Sequence, residues 1–207
     1  MKGNMIGLAS EASDRSGHVM ELLRICDPDE IWISSGRMTT SLSSANVGRG
    51  NTVKDLLRNK DVVLISNPDG AGLNYFQNLQ NELSTVAHVT VHEWTTPNWE
   101  ENEIYLRKDD HTVAAITGSS QCIKRDLDSK RRNEDNTEFD YKTDFIFYDS
   151  MYSEQIRDLI NGLVTDADIT IFTAILESGD LRVLETDCNN TIDQMFNDFR
   201  GLVNHPR

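Results

Sequence analysis

Proline is scarce, cysteine scarcer, and a long apolar run is missing altogether. With four prolines in 207 residues, no proline-rich linker divides the chain, and no internal repeat or low-complexity stretch does so either. A single domain of ordinary size is expected. Cys26, Cys122 and Cys188 are odd in number, widely spaced and outside any Cys-x-x-Cys or Cys/His ligand pattern. That argues against a disulfide framework and predicts reduced thiols, as in the cytosol. No apolar stretch approaches the ~20 residues that span a bilayer. The opening MKGNMIGLASEASDRSG carries acids where a signal peptide needs an unbroken apolar core. A cytoplasmic protein without membrane contact is the expectation. Walker A, Gly-x-Gly-x-x-Gly and Gly-x-Ser-x-Gly patterns are also missing, so no nucleotide cofactor and no nucleophile elbow are expected.

Basic residues are in short supply. Lys and Arg total 20 against 34 Asp and Glu, a formal net charge of −14. The deficit is uneven. Residues 1–132 hold 18 acids and 15 bases, whereas residues 133–198 hold 16 acids against Lys142, Arg157 and Arg182 alone. Such a field repels nucleic acid, whose binding rests on neutralising phosphates. It suits either a solvated acidic surface that keeps the protein soluble or a face shaped for a basic partner, such as a protein that normally holds nucleic acid.

What the chain does have is a regular alternation of elements. Val19, Leu22, Leu23 and Cys26 fall at helical spacing, and Asp27-Pro28-Asp29 stops that helix. Glu30-Ile-Trp-Ile-Ser-Ser-Gly36 reads as a buried strand that ends in small residues. Thr52 is placed to cap a helix over VKDLLRN. Asp61 to Asn67, DVVLISN, has four consecutive apolar residues and suits a strand covered on both faces. A helix over Leu73 to Val86 follows, then a strand from Val89 to Trp94. Helix and strand in alternation predict a parallel sheet flanked by helices. Farther on, Phe145–Tyr148 and Asp168–Leu176 read as strands, Ser153–Leu163 as an amphipathic helix and LRVLE (181–185) as the return of a hairpin. A last short helix carries Ile192, Met195, Phe196 and Phe199.

Between these parts lies EENEIYLRKDDHTVAAITGSSQ, residues 100–121. Two apolar runs flank a charged turn, and the second ends in the small-residue corner Gly118-Ser119-Ser120-Gln121. A buried hairpin that brings a Gly-Ser corner to the end of a sheet is a candidate phosphate site. With EIWISSGRMTTS and DVVLISNP before it, this hairpin resembles the phospholipase D superfamily, in particular its restriction-endonuclease branch, over roughly residues 18–165. The resemblance implies an α/β fold, a mixed sheet with helices on both faces. It implies one phospholipase D-like domain over residues 1–207, with a core of about 18–165 and a C-terminal hairpin and helix at 166–207. It also implies a homodimer and metal-free chemistry, in which a His attacks phosphorus while Lys and Asn hold the phosphoryl oxygens.

The family's His-x-Lys and Gly-Ser-x-Asn are degenerate in this chain. In register with Ile104-Tyr105, the nucleophile position holds Glu101 and the lysine position Glu103; Gly118 and Ser119 remain, but Gln121 stands for Asn, and Glu134 matches a family acid. The exchange inverts the site's charge. Like unit charges ~4 Å apart repel by about 4 kcal/mol at an effective dielectric of 20. The expectation is a catalytically degenerate nuclease-fold protein that acts by binding, an acidic inhibitor or decoy of a basic or nucleic-acid-binding protein, antirestriction-like, with no cofactor and no metal. The alternative is an active phosphodiesterase on DNA or RNA that uses another nucleophile or a metal. Candidates for such a rescue are His92 beside Glu93, the carboxylates Glu100, Glu101, Glu103, Asp109 and Asp110, and Arg131 and Arg132 against a phosphate. Acids clustered in a loop are more often simply solvated, and His92 and Glu93, adjacent on a strand, point to opposite faces. Trp94 and Trp99 around Pro97 suit a contact surface or a core edge.

Overall fold

The computed structural model describes residues 5–11, 15–35, 52–66, 72–93, 102–118, 141–163, 169–172, 192–201 and 203. Strand β1 (Met5–Glu11) and helix α1 (Arg15–Cys26) precede β2 (Glu30–Ser34), α2 (Val53–Leu56), β3 (Asp61–Ser66), α3 (Gly72–Leu83) and β4 (His88–Glu93). The hairpin strands β5 (Asn102–Lys108) and β6 (His111–Gly118) come next, then β7 (Tyr141–Tyr148), α4 (Ser153–Leu163) and β8 (Ile169–Phe172). Residues 192–201 form a last helix, α5. The eight described strands join one sheet in the order β4-β3-β2-β5-β6-β7-β1-β8. β2, β3 and β4 are parallel, and every other pairing is antiparallel. This is an α/β fold with a mixed sheet, as expected, and the alternation of elements accounts for its parallel part, β2, β3 and β4.

Strand β3 shows why the sheet is covered twice. Val62 and Leu64 face one side and Val63 and Ile65 the other, and all four are buried. The first pair packs with Leu22, Leu23 and Cys26 of α1, Val53 and Leu57 at α2, Leu79 and Leu83 of α3, and Ile156 of α4. The second pair packs with Trp32 and Tyr105 beneath Ile192, Phe196 and Phe199 of α5, and beneath Val203. The apolar spacing read in the last helix is its docking face. Burial of one such side chain contributes roughly 1.5–3 kcal/mol.

Local chemistry agrees with these elements. Thr52 caps α2 in a reciprocal box: its hydroxyl accepts from the Asp55 N–H, and the Asp55 carboxylate accepts from the Thr52 N–H. Those bonds hold the Asp55 carboxyl below the usual carboxylate range. The hairpin tip is a two-residue turn in which Asp109 and Asp110 have φ of 50° and 65°. Aspartate tolerates this left-handed region better than most residues, and a primed turn matches the twist of the flanking strands. Burial pushes the Cys26 thiol up to about 12, so it stays protonated and inert.

Two departures stand out. β1 has no counterpart in the sequence reading, because MIGLASE carries little periodicity; it is an interior strand paired with β7 and with β8. The hairpin return over 181–185 lies outside the described residues, and the described part of β8 is shorter than the predicted strand.

Thr112 adds a local cost. Its hydroxyl oxygen is buried without a hydrogen-bond partner among the described residues, while its N–H donates to Asp193 Oδ1 at 2.9 Å. An unsatisfied buried polar group costs about 1–3 kcal/mol. Thr112→Val keeps the shape and removes that group, so urea unfolding is expected to show a gain of about 1 kcal/mol. A loss of stability in the variant would show that the hydroxyl has a partner in solution.

Candidate functional site

Ligands of open α/β sheets bind at the carboxyl ends of the parallel strands. Here that edge is formed by the ends of β2, β3 and β4, the start of β5 and the end of β6. The pairing places Ser34 beside both Ile65 and Glu103, His92 beside Ile65, and Thr117 beside both Glu103 and Phe145. Residues directly opposite across strands share a face. His92, Ile65, Ser34, Glu103, Thr117 and Phe145 therefore form one row across the sheet, on the face that α5 covers. Asn102, Gly118 and Ser35 belong to the opposite face of the same edge.

Both faces are organised by buried polar groups. Ser34 and Ser35 are fully buried. The Ser35 hydroxyl donates to Asn102 Oδ1 at 2.7 Å, and the Ser35 N–H donates to the Ile65 carbonyl at 3.1 Å. On the other face the Tyr105 hydroxyl donates to Glu103 Oε2 at 3.1 Å. The His92 ring stacks on Trp32, with centroids 6.4 Å apart and planes 10° from parallel.

The candidate residues fall out as follows. Glu103 and Gly118 are brought to the same edge, on adjacent hairpin strands: Glu103 pairs with Thr117, and Gly118 with Asn102. Glu101, Ser119, Gln121 and Glu134 lie outside the described residues, as do Glu100, Arg131, Arg132, Trp94 and Trp99. Asp109 and Asp110 are not brought to Glu103: they sit at the hairpin tip, beyond the far end of β5, roughly 20 Å away at ~3.4 Å per residue. His111 starts β6 and Gly118 ends it, so that histidine too is at the wrong end. Among the described residues no group of three or more His, Cys, Asp or Glu is arranged to hold a metal ion. Ser35, Asn102, Trp32 and Tyr105 are not singled out as site residues by the sequence. Their only sequence signals were the small-residue end of the second strand and the position of Asn102 between the two degenerate motif residues.

Described cations gather at the amino edge of the sheet, paired with its acids. Lys60 and Lys108 lie at the amino edge, where Lys60 Nζ is 2.9 Å from Asp27 Oδ1 and Lys108 Nζ is 3.9 Å from Asp27 Oδ2. The Lys60 hydrogen bond holds the Asp27 carboxyl below its ordinary range. Arg107 sits at this edge as well, paired with Glu30 at 2.8 Å. A carboxylate such as Glu103 can accept hydrogen bonds or meet a cation, and it repels a phosphate.

No protein-family model matches the chain, and no curated protein matches it. Among solved structures the chain is similar to phosphatidylserine synthase of Haemophilus influenzae Rd KW20, at 13% identity and a TM-score of 0.44, covering 96% of this chain and 46% of that one. It is also similar to TrmBL2, an archaeal chromatin protein that binds DNA, at 10% identity and a TM-score of 0.38, covering 77% of this chain and 52% of that one. The chain spans about half the length of each. Among the described residues no helix is long and apolar enough to cross a membrane.

Proposed function

We propose that the chain is a phospholipase D-like scaffold that works by binding rather than by turnover, as an acidic inhibitor or decoy of a basic, nucleic-acid-binding protein. What carries this reading is Glu103, which the resemblance sets where the family has its phosphate-binding lysine. Its carboxylate is held by the Tyr105 hydroxyl and set in register between Ser34 and Thr117. An anion fixed there opposes the binding of a phosphodiester, and oxyanion stabilisation by a cation is the larger part of what such a site would supply. The net charge of −14 supports a basic partner. A homodimer belongs to the same reading.

The test is direct. Single- and double-stranded DNA and RNA are incubated with micromolar protein, with Mg²⁺ and with EDTA, and no cleavage is expected. Turnover in either condition would overturn the reading in favour of an active phosphodiesterase. In parallel, the protein is added to a restriction-endonuclease digest. Cleavage should slow at low salt and recover at high salt, because an interface steered by charge is screened within a Debye length of about 10 Å at 0.1 M. Inhibition that survives multiple Asp/Glu→Asn/Gln changes in residues 133–198 would remove the acidic surface from the account.

A further inference from the structure

The two side chains that mark the carboxyl edge, Glu103 and His92, come from strands separated by β3 and β2. Each is held by an aromatic residue that packs against α5. Glu103 receives the Tyr105 hydroxyl, and Tyr105 is buried against α5, with its ring centroid 5.1 Å from Phe199 and 5.5 Å from Phe196. His92 stacks on Trp32, whose ring meets Phe196 edge-on at 5.2 Å and Phe199 at 6.2 Å. The same two phenylalanines thus set both aromatics.

We propose that α5 is a positioning element for the carboxyl edge, with Phe196 and Phe199 fixing Glu103 through Tyr105 and His92 through Trp32. This rests on the reading of that edge as the working site. A group that enters the row displaces one of these side chains and is felt at the helix. A partner that lifts the helix releases both side chains together. The coupling is reciprocal, because both ends share one equilibrium. The helix is suited to this role by how it is attached. It docks through Ile192, Phe196, Phe199 and Val203, on a face otherwise without a helix among the described residues.

The coupling is read by NMR on the full-length labelled chain without any partner, so it succeeds or fails separately from the binding reading. The probes are the Glu103 carboxyl carbon and the His92 ring protons, which lie in the ring current of Trp32. Tyr105→Phe keeps the ring and removes the donor, and is expected to move the Glu103 resonance and leave His92 in place. Phe199→Leu keeps an apolar filler and is expected to move both resonances together. Leu79→Val, on the other face of the sheet, lowers stability by a similar mechanism and is expected to move neither. A Phe199→Leu variant that moves only one of the two resonances, or neither, overturns the proposal. So does a Leu79→Val variant that moves both, since general loosening would then account for the shifts.

Discussion

Phe196→Ala is expected to cost about 3–5 kcal/mol of unfolding free energy, the range for truncating a buried aromatic. Phe196 is 1% exposed and stands at the centre of the second core. Its ring meets Trp32 and Tyr105 at edge-to-face geometry, which adds about 0.5–1.5 kcal/mol per pair beyond burial. The Arg107 guanidinium lies 4.0 Å from its centroid. A desolvated cation on a ring contributes up to about 2 kcal/mol. The cavity cannot close easily, because Trp32 and Tyr105 are fixed in a sheet and α5 is a rigid rod. Urea unfolding followed by Trp fluorescence measures the loss. Asn197→Ala, one residue along on the exposed side, should stay within about 0.5 kcal/mol. A Phe196→Ala loss under 1 kcal/mol would mean that α5 does not hold this face in solution.

The parts of the fold that were legible in the sequence are those whose periodicity is local. The DVVLISN run announced a strand covered on both faces because four consecutive apolar residues leave no polar face. Thr52 was readable as a cap because the box closes within three residues. The spacing of Ile192, Phe196 and Phe199 announced a docking face, though not which side of the sheet it would cover. β1 was not legible, since what makes MIGLASE a strand is its pairing, Met5 with Phe147 and Glu11 with Tyr141, and a non-local ladder leaves little trace in a seven-residue window. The site divides in the same way. Glu103 and Gly118 could be brought near each other from the sequence because a hairpin folds its chain back beside itself. Their register, however, depends on a bulge at Leu106/Arg107 that shifts the pairing by one residue and that spacing alone does not announce. The Ser35–Asn102 bond spans 67 positions, and the stacking of His92 on Trp32 depends on β2 and β4 flanking β3. Neither follows from spacing. Charge was legible by segment but not in space. The described acids of the amino edge, Asp27, Asp29, Glu30, Asp61, Asp109 and Asp110, come from the nearly balanced part of the chain and gather only because five segment ends meet there.

Arg107→Met is expected to cost about 2–3 kcal/mol, a value set by what the substitution leaves behind. The side chain of Arg107 is 9% exposed. It donates from Nε to Glu30 Oε2 at 2.8 Å and from Nη2 to the Asp110 carbonyl at 2.9 Å. Methionine fills much of the same volume beneath Phe196, so the loss is chiefly electrostatic. Glu30 would keep its bond from Trp32 Nε1 at 2.8 Å but lose its counter-charge. Breaking a buried pair costs about 3–5 kcal/mol. Glu30 is 33% exposed on its side chain, and water there takes back part of that penalty, which lowers the expected value. The double variant Arg107→Met/Glu30→Met separates the pair from the packing. If the ion pair is the main term, the double variant unfolds with a cost at least 1 kcal/mol smaller than the two single costs added, because no charge is stranded. Strict additivity would show that Arg107 acts through Phe196 and the hairpin carbonyl alone. Arg107 also lies on Phe196, and its partner Glu30 accepts from Trp32 Nε1, so Arg107→Met is expected to move the His92 resonance as well. A His92 resonance that stays in place would mean that neither Phe196 nor Glu30 carries the change to Trp32.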